Sequence, residues 1–288
     1  MTSTSIEWTE VTWNPVTGCD RISAGCDNCY ALKMARRLKA MGAAKYQKDG
    51  DPRTSGPGFG VAVHEDAMTE PLRWRSARLV FVNSMSDIAH ARVPRWAQAS
   101  IWAVMALTPR HQYQILTKRS KRLATLLTDP AFYAEITDAI HKILDQFDGR
   151  LPVEDVDAAM RWADPRQRLR GEIPAPLPNV WIGTSIESDD YCWRADELRR
   201  TPAAIRFLSC EPLLGPLPSL DLADIDWVIV GGESGHRFRP LDLDWVRDLR
   251  DRCVQRRVSL FFKQVGGVRP KAGGRLLDGR TWDEMPSR

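Results

Sequence analysis

A repeated unit of a short apolar segment, a polar or glycine-rich tip and an amphipathic stretch most constrains the fold of this 288-residue chain. Continuous apolar strands that alternate with helices are typical of a parallel sheet buried on both faces. A first strand near the amino-terminal cysteines would add a seventh unit. The sequence therefore predicts an α/β fold with a full or partial (β/α) barrel, and a doubly wound open sheet is the competing architecture. The six apolar segments are 79–82, 113–116, 180–182, 205–208, 227–230 and 259–262.

Helical periodicity fills the intervals between these strands and also marks an insertion. The segment 128–179 interrupts one unit, and residues 268–288 form a C-terminal extension beyond the last strand. The chain is long enough for one large barrel or two domains, and we expect a single domain over 1–288. The predicted helices are 31–41, 94–107, a helix ending at Leu127, 193–200 and 243–256, with 131–147 and 153–163 inside the insertion.

Composition excludes several classes of protein. With 43% hydrophobic residues and a net charge of +4, the chain is expected to be globular, and its mild positive charge permits a phosphate-bearing partner without requiring one. No apolar run approaches the roughly 20 residues of a membrane span, and the amino terminus lacks a secretory signal pattern. We therefore expect a cytoplasmic protein with no membrane partner, in which six cysteines do not form a disulfide framework.

Residues 17–31 hold a C-x6-C-x2-C array of Cys19, Cys26 and Cys29. A C-x2-C pair lets two thiolates reach the same ion or cluster, and Gly18 and Gly25 allow the loop to wrap around one centre. A structural zinc site closes with four protein ligands, whereas three ligands leave a position open for exchangeable chemistry. A functional cluster is therefore favoured over structural zinc or ordinary thiols. The other cysteines, expected to be inert thiols, are Cys192, Cys210 and Cys253.

This loop resembles the three-cysteine motif of the radical S-adenosylmethionine (SAM) enzymes. More closely, several stretches are similar to the phage Gp37/Gp68 (DUF5131) family, a radical-SAM-like group, over about residues 6–267. Compared with the commonest radical SAM pattern, C-x3-C-x2-C, the first spacer here is three residues longer. Asn28 stands before the last cysteine, where an aromatic residue is usual, and Tyr30 follows that cysteine. The similar stretches are Ile6-Glu7-Trp8-Thr9, Trp13-Asn14-Pro15, Gly18-Cys19, 207–216 (FLSCEPLLGP) and 228–235 (VIVGGESG).

The resemblance implies that the three cysteines hold a [4Fe–4S] cluster and that SAM occupies its fourth iron. It also implies reductive cleavage of SAM to a 5′-deoxyadenosyl radical, with electrons from a reductase or a flavodoxin-type donor. A nucleic-acid base or nucleotide is the candidate substrate, for modification or repair. Two alternatives remain open: a non-catalytic, zinc- or cluster-bearing nucleic-acid-binding protein, and a metal-free α/β enzyme whose thiols are bystanders.

Polar residues at the strand tips are the candidates for cofactor contacts, because ligands bind beyond the carboxyl ends of parallel strands. Ser84, Ser86 and Asp87, at the tip after residue 82, are candidates to bind the ammonium and carboxylate of an amino acid moiety such as that of SAM. Their alternative role is a helix N-cap. Thr184, Ser185 and Glu187, after residue 182, are candidates to hydrogen-bond ribose hydroxyls, and their alternative role is to begin a helix. Paired glycines followed by a glutamate resemble the Gly-Gly-Glu motif that grips the SAM ammonium. With Tyr30, these candidates are Ser84, Ser86, Asp87, Thr184, Ser185, Glu187, Gly231, Gly232 and Glu233.

Charged and aromatic residues supply the candidate substrate contacts. Glu211 and Lys263 end strongly apolar strands, where they pair with each other or face the substrate. Lys118 and Arg119 begin a basic run at another tip, which suits phosphate contact or a solvated helix face. Trp13 is a candidate to stack on a planar substrate, with core packing as its alternative role.

Overall fold

Eight strands form the main sheet in the part of the chain that the structure describes. The computed structural model describes residues 2–4, 6–164, 166, 175–269 and 271–286, so part of the predicted insertion (165 and 167–174) and residues 270, 287 and 288 of the predicted extension lie outside the described residues. Two short strands, β3 (Val16–Thr17) and β4 (Ala62–Val63), pair separately. The main sheet consists of β1 (Thr2–Ser3), β2 (Val11–Trp13), β5 (Leu79–Val82), β6 (Gln112–Thr117), β7 (Val180–Ser185), β8 (Ile205–Cys210), β9 (Trp227–Gly231) and β10 (Ser259–Gln264).

The helices lie between these strands and within the insertion. Helices α5 and α6 of the insertion pack against α3 and so extend the outer helical layer. None of the helices in the described ranges combines the length and apolarity that a membrane span requires. The helices are α1 (Tyr30–Ala40), α2 (Glu65–Met68), α3 (Arg95–Ala106), α4 (Ser120–Leu127), α5 (Pro130–Phe147), α6 (Val153–Ala163), α7 (Trp193–Arg199) and α8 (Leu243–Arg256).

The strand order identifies the architecture as a partial (β/α) barrel. The order is β1-β2-β5-β6-β7-β8-β9-β10, with β1 antiparallel to β2 and every later neighbour parallel. Each crossover therefore leads to the next strand in the same direction, and right-handed crossovers place all of the connecting helices on one face. A doubly wound sheet reverses its strand order at a switch point, so that alternative is wrong. The predicted α/β partial barrel is confirmed.

The two faces of the sheet bury different sets of side chains. Val80, Val82 and Val228 point to the outer face, where a large aliphatic core joins the sheet to the helices. The alternate residues point to the inner face and form a separate cluster that contains no helical residue among the described ones. The inner cluster comprises Trp8, Phe81, Trp181, Phe207, Trp227, Ile229 and Phe261.

On the inner face, glycines and charged residues follow the aromatic rings toward the carboxyl ends of the strands. Gly183 lies two residues after Trp181, and a Cβ built on it would be 2.4 Å from the Phe207 ring. Gly231 faces the Glu211 side chain in the same way, at 3.5 Å. Gly183 therefore leaves no room for a side chain, whereas a methyl group on Gly231 would be in ordinary van der Waals contact with Glu211.

The C-terminal extension covers the free edge of β10. Phe262 donates its backbone N–H to the Trp282 carbonyl at 2.8 Å, and Glu284 donates to the Leu260 carbonyl at 3.0 Å. Lys271 Nζ then reaches the Glu7 carboxylate, at 2.7 Å, next to the inner-cluster residue Trp8. The two terminal segments thus bridge the gap that a closed barrel would fill with a strand, and they protect an edge that would otherwise pair with other chains.

We predict that Gly183→Ala destabilises the protein by about 1–3 kcal/mol, because the added methyl group overlaps the fully buried Phe207 ring. Urea unfolding followed by circular dichroism measures the change. Gly215→Ala is the matched control, since no atom lies within 4 Å of the corresponding Cβ position. Equal stability of the two variants would contradict the tight inner packing.

Candidate functional site

The three predicted cysteine ligands lie on one loop between β3 and α1. Gly18, with a φ of +89°, lies so close to Gly60 that an added Cβ would be 2.3 Å from the Gly60 carbonyl oxygen, so only glycine fits where the loop begins. Cys29 is the N-cap residue of α1, and its backbone N–H donates to the Cys26 carbonyl at 3.2 Å. The helix N-terminus favours negative charge, and hence thiolates, at this end of the loop.

All three thiols are free and partly buried. Cys19 and Cys29 pack against the same small apolar cluster of Ala31, Ala35, Phe59 and Met85. Among the described residues, no group of three or more His, Cys, Asp or Glu side chains is arranged to hold a metal ion. A single ion draws its sulfur ligands to about 2.3 Å from one centre, whereas a cluster has several irons to share among its cysteines. Three thiols on one loop beside a helix N-terminus supply the donor type that an iron–sulfur cluster binds.

Arg119 holds the first part of the loop. Its Nη1 donates to Cys19 Sγ at 3.3 Å and to Asp87 Oδ2 at 2.8 Å, and its Nη2 donates to the Asp20 carbonyl at 3.0 Å. Burial and the Asp87 charge raise the pKa of the Cys19 thiol to about 12 against the opposing effect of Arg119. Asp87 is buried and also accepts hydrogen bonds from the Thr117 hydroxyl and the Lys118 backbone N–H. The ion pair therefore places a cation beside the sulfur.

The Asp20 carboxylate joins the cysteine loop to two other loops. It accepts hydrogen bonds from Thr54 and Ser55 of the 47–60 loop, and from His90 and Arg92 after β5. Burial opposes ionisation, but these four donors outweigh it and hold the pKa of Asp20 well below its usual range.

Glu233 holds the second part of the loop from the end of β9. Its Oε2 accepts from Asn28 Nδ2 at 2.9 Å and from Arg239 Nε at 3.0 Å, and its Oε1 accepts from Arg239 Nη2. Arg239 Nη2 also donates to the Ala24 carbonyl at 2.9 Å, inside the cysteine loop. Burial opposes ionisation of Glu233, but the hydrogen bonds from Arg239 and Asn28 lower its pKa.

Glu187 and Arg194 form a buried ion pair beneath the loop. Their charged atoms lie 3.0 Å apart, and neither side chain is more than 2% exposed. A Cβ built on Gly25 would be 3.0 Å from Glu187 Cδ, so the loop backbone rests directly on this carboxylate. Glu187 Oε1 has no hydrogen-bond partner among the described residues. Arg194 also donates to the Ser185 carbonyl at 2.9 Å, which ties the pair to β7.

Glu211 and Lys263 pair across the inner face with 2.5 Å between Oε1 and Nζ. Both remain partly exposed, so the predicted ion pair also faces the open end of the partial barrel. Tyr30 lies nearby and donates its hydroxyl to the Ser84 carbonyl. The residue is 54% exposed, but desolvation of its hydroxyl raises the pKa of Tyr30, and the proximity of Cys29 and of Glu211 raises it further. These contacts bring Tyr30 to the same opening as the cysteine loop.

The structure places the remaining predicted residues in different surroundings. Ser86 Oγ is buried without a partner in the described part of the chain, whereas Ser84 Oγ bonds to the Asn14 side chain. Thr184 donates its hydroxyl to the Thr117 carbonyl, so it joins β7 to β6. Trp13 is fully buried in the outer core, and its indole N–H donates to the Ala67 carbonyl. The substrate contact predicted for Trp13 is therefore corrected to core packing, because a buried ring has no free face.

Sequence reasoning missed several residues that hold the cysteine loop or pair with the carboxylate beneath it. In the sequence, Asn28 stands out only as a departure from the usual motif. An isolated arginine or aspartate matches no motif, so the sequence does not distinguish it from an ordinary charged residue at the surface. The missed residues are Asp20, Asn28, Arg194 and Arg239.

Comparison with known proteins gives a family but no activity. A family model described as a protein of unknown function (DUF5131) matches residues 3–286. No curated protein matches the chain. A solved structure of a spore photoproduct lyase mutant with dinucleoside spore photoproduct is similar, with 12% sequence identity and a TM-score of 0.41. The match covers 87% of this chain and 62% of the lyase chain, so this chain spans less than two thirds of that protein.

We predict that Arg119→Gln destabilises the metal-free protein by about 3–5 kcal/mol, because it leaves the buried Asp87 carboxylate without its ion-pair partner. Urea unfolding at neutral pH measures the loss. Arg200→Gln is the control, since Arg200 pairs with Glu197 at the surface, where such a pair contributes less than about 1 kcal/mol. A loss of stability in Arg119→Gln no larger than that in Arg200→Gln would show that Arg119 does not support the fold.

Proposed function

For this chain, which belongs to the DUF5131 family of proteins of unknown function, we propose that the loop of Cys19, Cys26 and Cys29 holds a [4Fe–4S] cluster in a radical SAM enzyme. The observation that carries the proposal is the position of three free thiols on one loop at the carboxyl ends of parallel strands. When bound, the reduced cluster supplies the electron for reductive cleavage of SAM. A reductase or a flavodoxin-type protein is the proposed electron donor.

Residues around the thiols support a negatively charged centre. Arg119 donates directly to the Cys19 sulfur, and the N-terminus of α1 begins at Cys29. Both groups favour the thiolate form that binds iron, and at Cys19 the guanidinium opposes the burial and the Asp87 charge that raise the pKa of the thiol. The apolar contacts of Cys19 and Cys29 limit the access of water to the same region.

The open end of the inner face is the proposed place for SAM and substrate. Glu211 lies against Gly231 at the end of β9, and the buried Ser86 Oγ has no hydrogen-bond partner among the described residues. Asp87 and Glu233 already bind arginines, so a SAM contact at either carboxylate requires the exchange of an existing partner. The Glu211–Lys263 pair provides both signs of charge for orienting a polar substrate.

A nucleic-acid base or nucleotide is the proposed substrate, because cations with available charge surround the cysteine loop. Lys33 Nζ lies 3.0 Å from the Cβ position of Gly235, and the Arg237 carbonyl accepts a hydrogen bond from Asn28. Lys118 adjoins the arginine that binds Cys19. Lys33 and Arg237 are exposed and Lys118 is half-buried, so their charge is available to phosphate groups.

We predict that anaerobic reconstitution gives a brown protein with about four irons per chain and a broad absorption band near ~400 nm. After reduction with dithionite, the protein should release 5′-deoxyadenosine from SAM, as measured by chromatography. Cys29→Ala should abolish both properties, whereas Cys192→Ala, which removes an isolated buried thiol, should retain them. A colourless protein with stoichiometric zinc would refute the enzyme and favour the zinc-bearing alternative.

We predict that replacing Lys33, Lys118 and Arg237 with alanine weakens binding to a fluorescein-labelled single-stranded oligonucleotide. The slope of log affinity against log salt should become shallower by about 1 for each phosphate group that the variant no longer binds. Fluorescence anisotropy at several salt concentrations measures both quantities. Lys142→Ala, on the outer helix α5, is the control. An unchanged salt slope in the triple variant would remove the support for a nucleic-acid substrate.

A further inference from the structure

The cysteine loop carries more conformational freedom than the usual radical SAM motif. Its first spacer contains six residues between Cys19 and Cys26, including Gly25. Longer and glycine-bearing loops lose more conformational entropy when their ends are fixed. Such a loop needs contacts outside itself if its thiols are to be arranged before a cofactor binds.

Glu233 is well placed to supply those contacts. It is 7% exposed, and its backbone is anchored to the end of β10, where its carbonyl accepts from the Gly267 N–H at 2.9 Å. The preceding Gly232 packs so closely that an added Cβ would be 2.0 Å from the Val265 carbonyl oxygen. The carboxylate therefore has a fixed position relative to the sheet.

The contacts from Glu233 reach both sides of Cys26. On one side, Arg239 binds the carboxylate through two side-chain nitrogens and donates to the Ala24 carbonyl at 2.9 Å. On the other side, Asn28 donates to Glu233 Oε2 and to the Arg237 carbonyl, both at 2.9 Å. A phenylalanine at position 28 could make neither hydrogen bond, because its side chain has no donor.

We propose that Asn28, Glu233 and Arg239 form a clamp that fixes the cysteine loop before any cofactor binds. Glu233 is then a positioning residue for Cys26 and Cys29, and it acts through Asn28 and Arg239 rather than by contact with SAM. The clamp explains why this chain has Asn28 in place of an aromatic residue and also tolerates a longer spacer. This inference rests on the proposed function only for the identity of the cofactor that the loop binds.

Hydrogen–deuterium exchange of the metal-free protein tests the clamp without any cofactor. Glu233→Gln keeps the shape of the side chain but weakens its charged hydrogen bonds to Arg239, so amide exchange in residues 23–30 should increase roughly tenfold. Asn28→Ala should produce a similar increase from the loop side, and it tests the same contact if Glu233→Gln folds poorly. Glu135→Gln is the matched control, because Glu135 also accepts a hydrogen bond from an arginine, Arg95, at 2.7 Å.

The double variant Asn28→Ala/Glu233→Gln should show less exchange than the sum of the two single effects, because both residues belong to one hydrogen-bond network centred on the Glu233 carboxylate. Reconstituted Glu233→Gln should incorporate less iron than reconstituted Glu135→Gln. Once loaded with iron, Glu233→Gln should bind SAM with wild-type affinity in calorimetric titration. Unchanged exchange in residues 23–30, or a loss of SAM affinity with an unchanged loop, would overturn the clamp. If the loop loosens as expected but the wild-type protein binds no iron, the clamp stands and the proposed function fails.

Discussion

Two arginine–carboxylate pairs hold the cysteine loop over the carboxyl ends of the strands, and the candidate site depends on them. Arg119 and Asp87 come from the ends of β6 and β5, whereas Arg239 and Glu233 follow β9. Each guanidinium also donates to a backbone carbonyl within the loop. Removing charges from water is costly, so such pairs contribute position more than net stability. The loop is consequently held from two separated parts of the sheet.

The order of the strands makes those separated parts converge. Because parallel neighbours follow chain order, the helices cover one face and leave the other face to curl inward. Aromatic rings fill the amino end of this inner face, and glycines and charged residues occupy its carboxyl end. The chain termini, through contacts such as that of Lys271 with Glu7, complete the wall where no strand closes the barrel.

The positions of the strands could be predicted from the sequence because fully buried parallel strands leave continuous apolar runs. All six predicted strands occur, and they begin within one residue of the expected positions. Several continue beyond the apolar run, as β7 does through Ser185 and β8 through Cys210. Backbone pairing carries these extensions, and it does not depend on apolar side chains. The sequence predicted the barrel but left the doubly wound sheet open as an alternative, because apolar runs do not encode which strands become neighbours.

By itself, the sequence determined the alternation of strands and helices and the chemistry that reaches the strand tips: three thiols on a short loop, with carboxylates and cations nearby. Only the tertiary structure decided the partners of those groups. Asn28 and Glu233 are 205 residues apart in the chain, and Glu211 and Lys263 are 52 apart. A charged side chain has many acceptable partners in a sequence, and only the convergence of distant strand ends selects one. The same convergence buried Trp13 in the core and left Tyr30 at the opening.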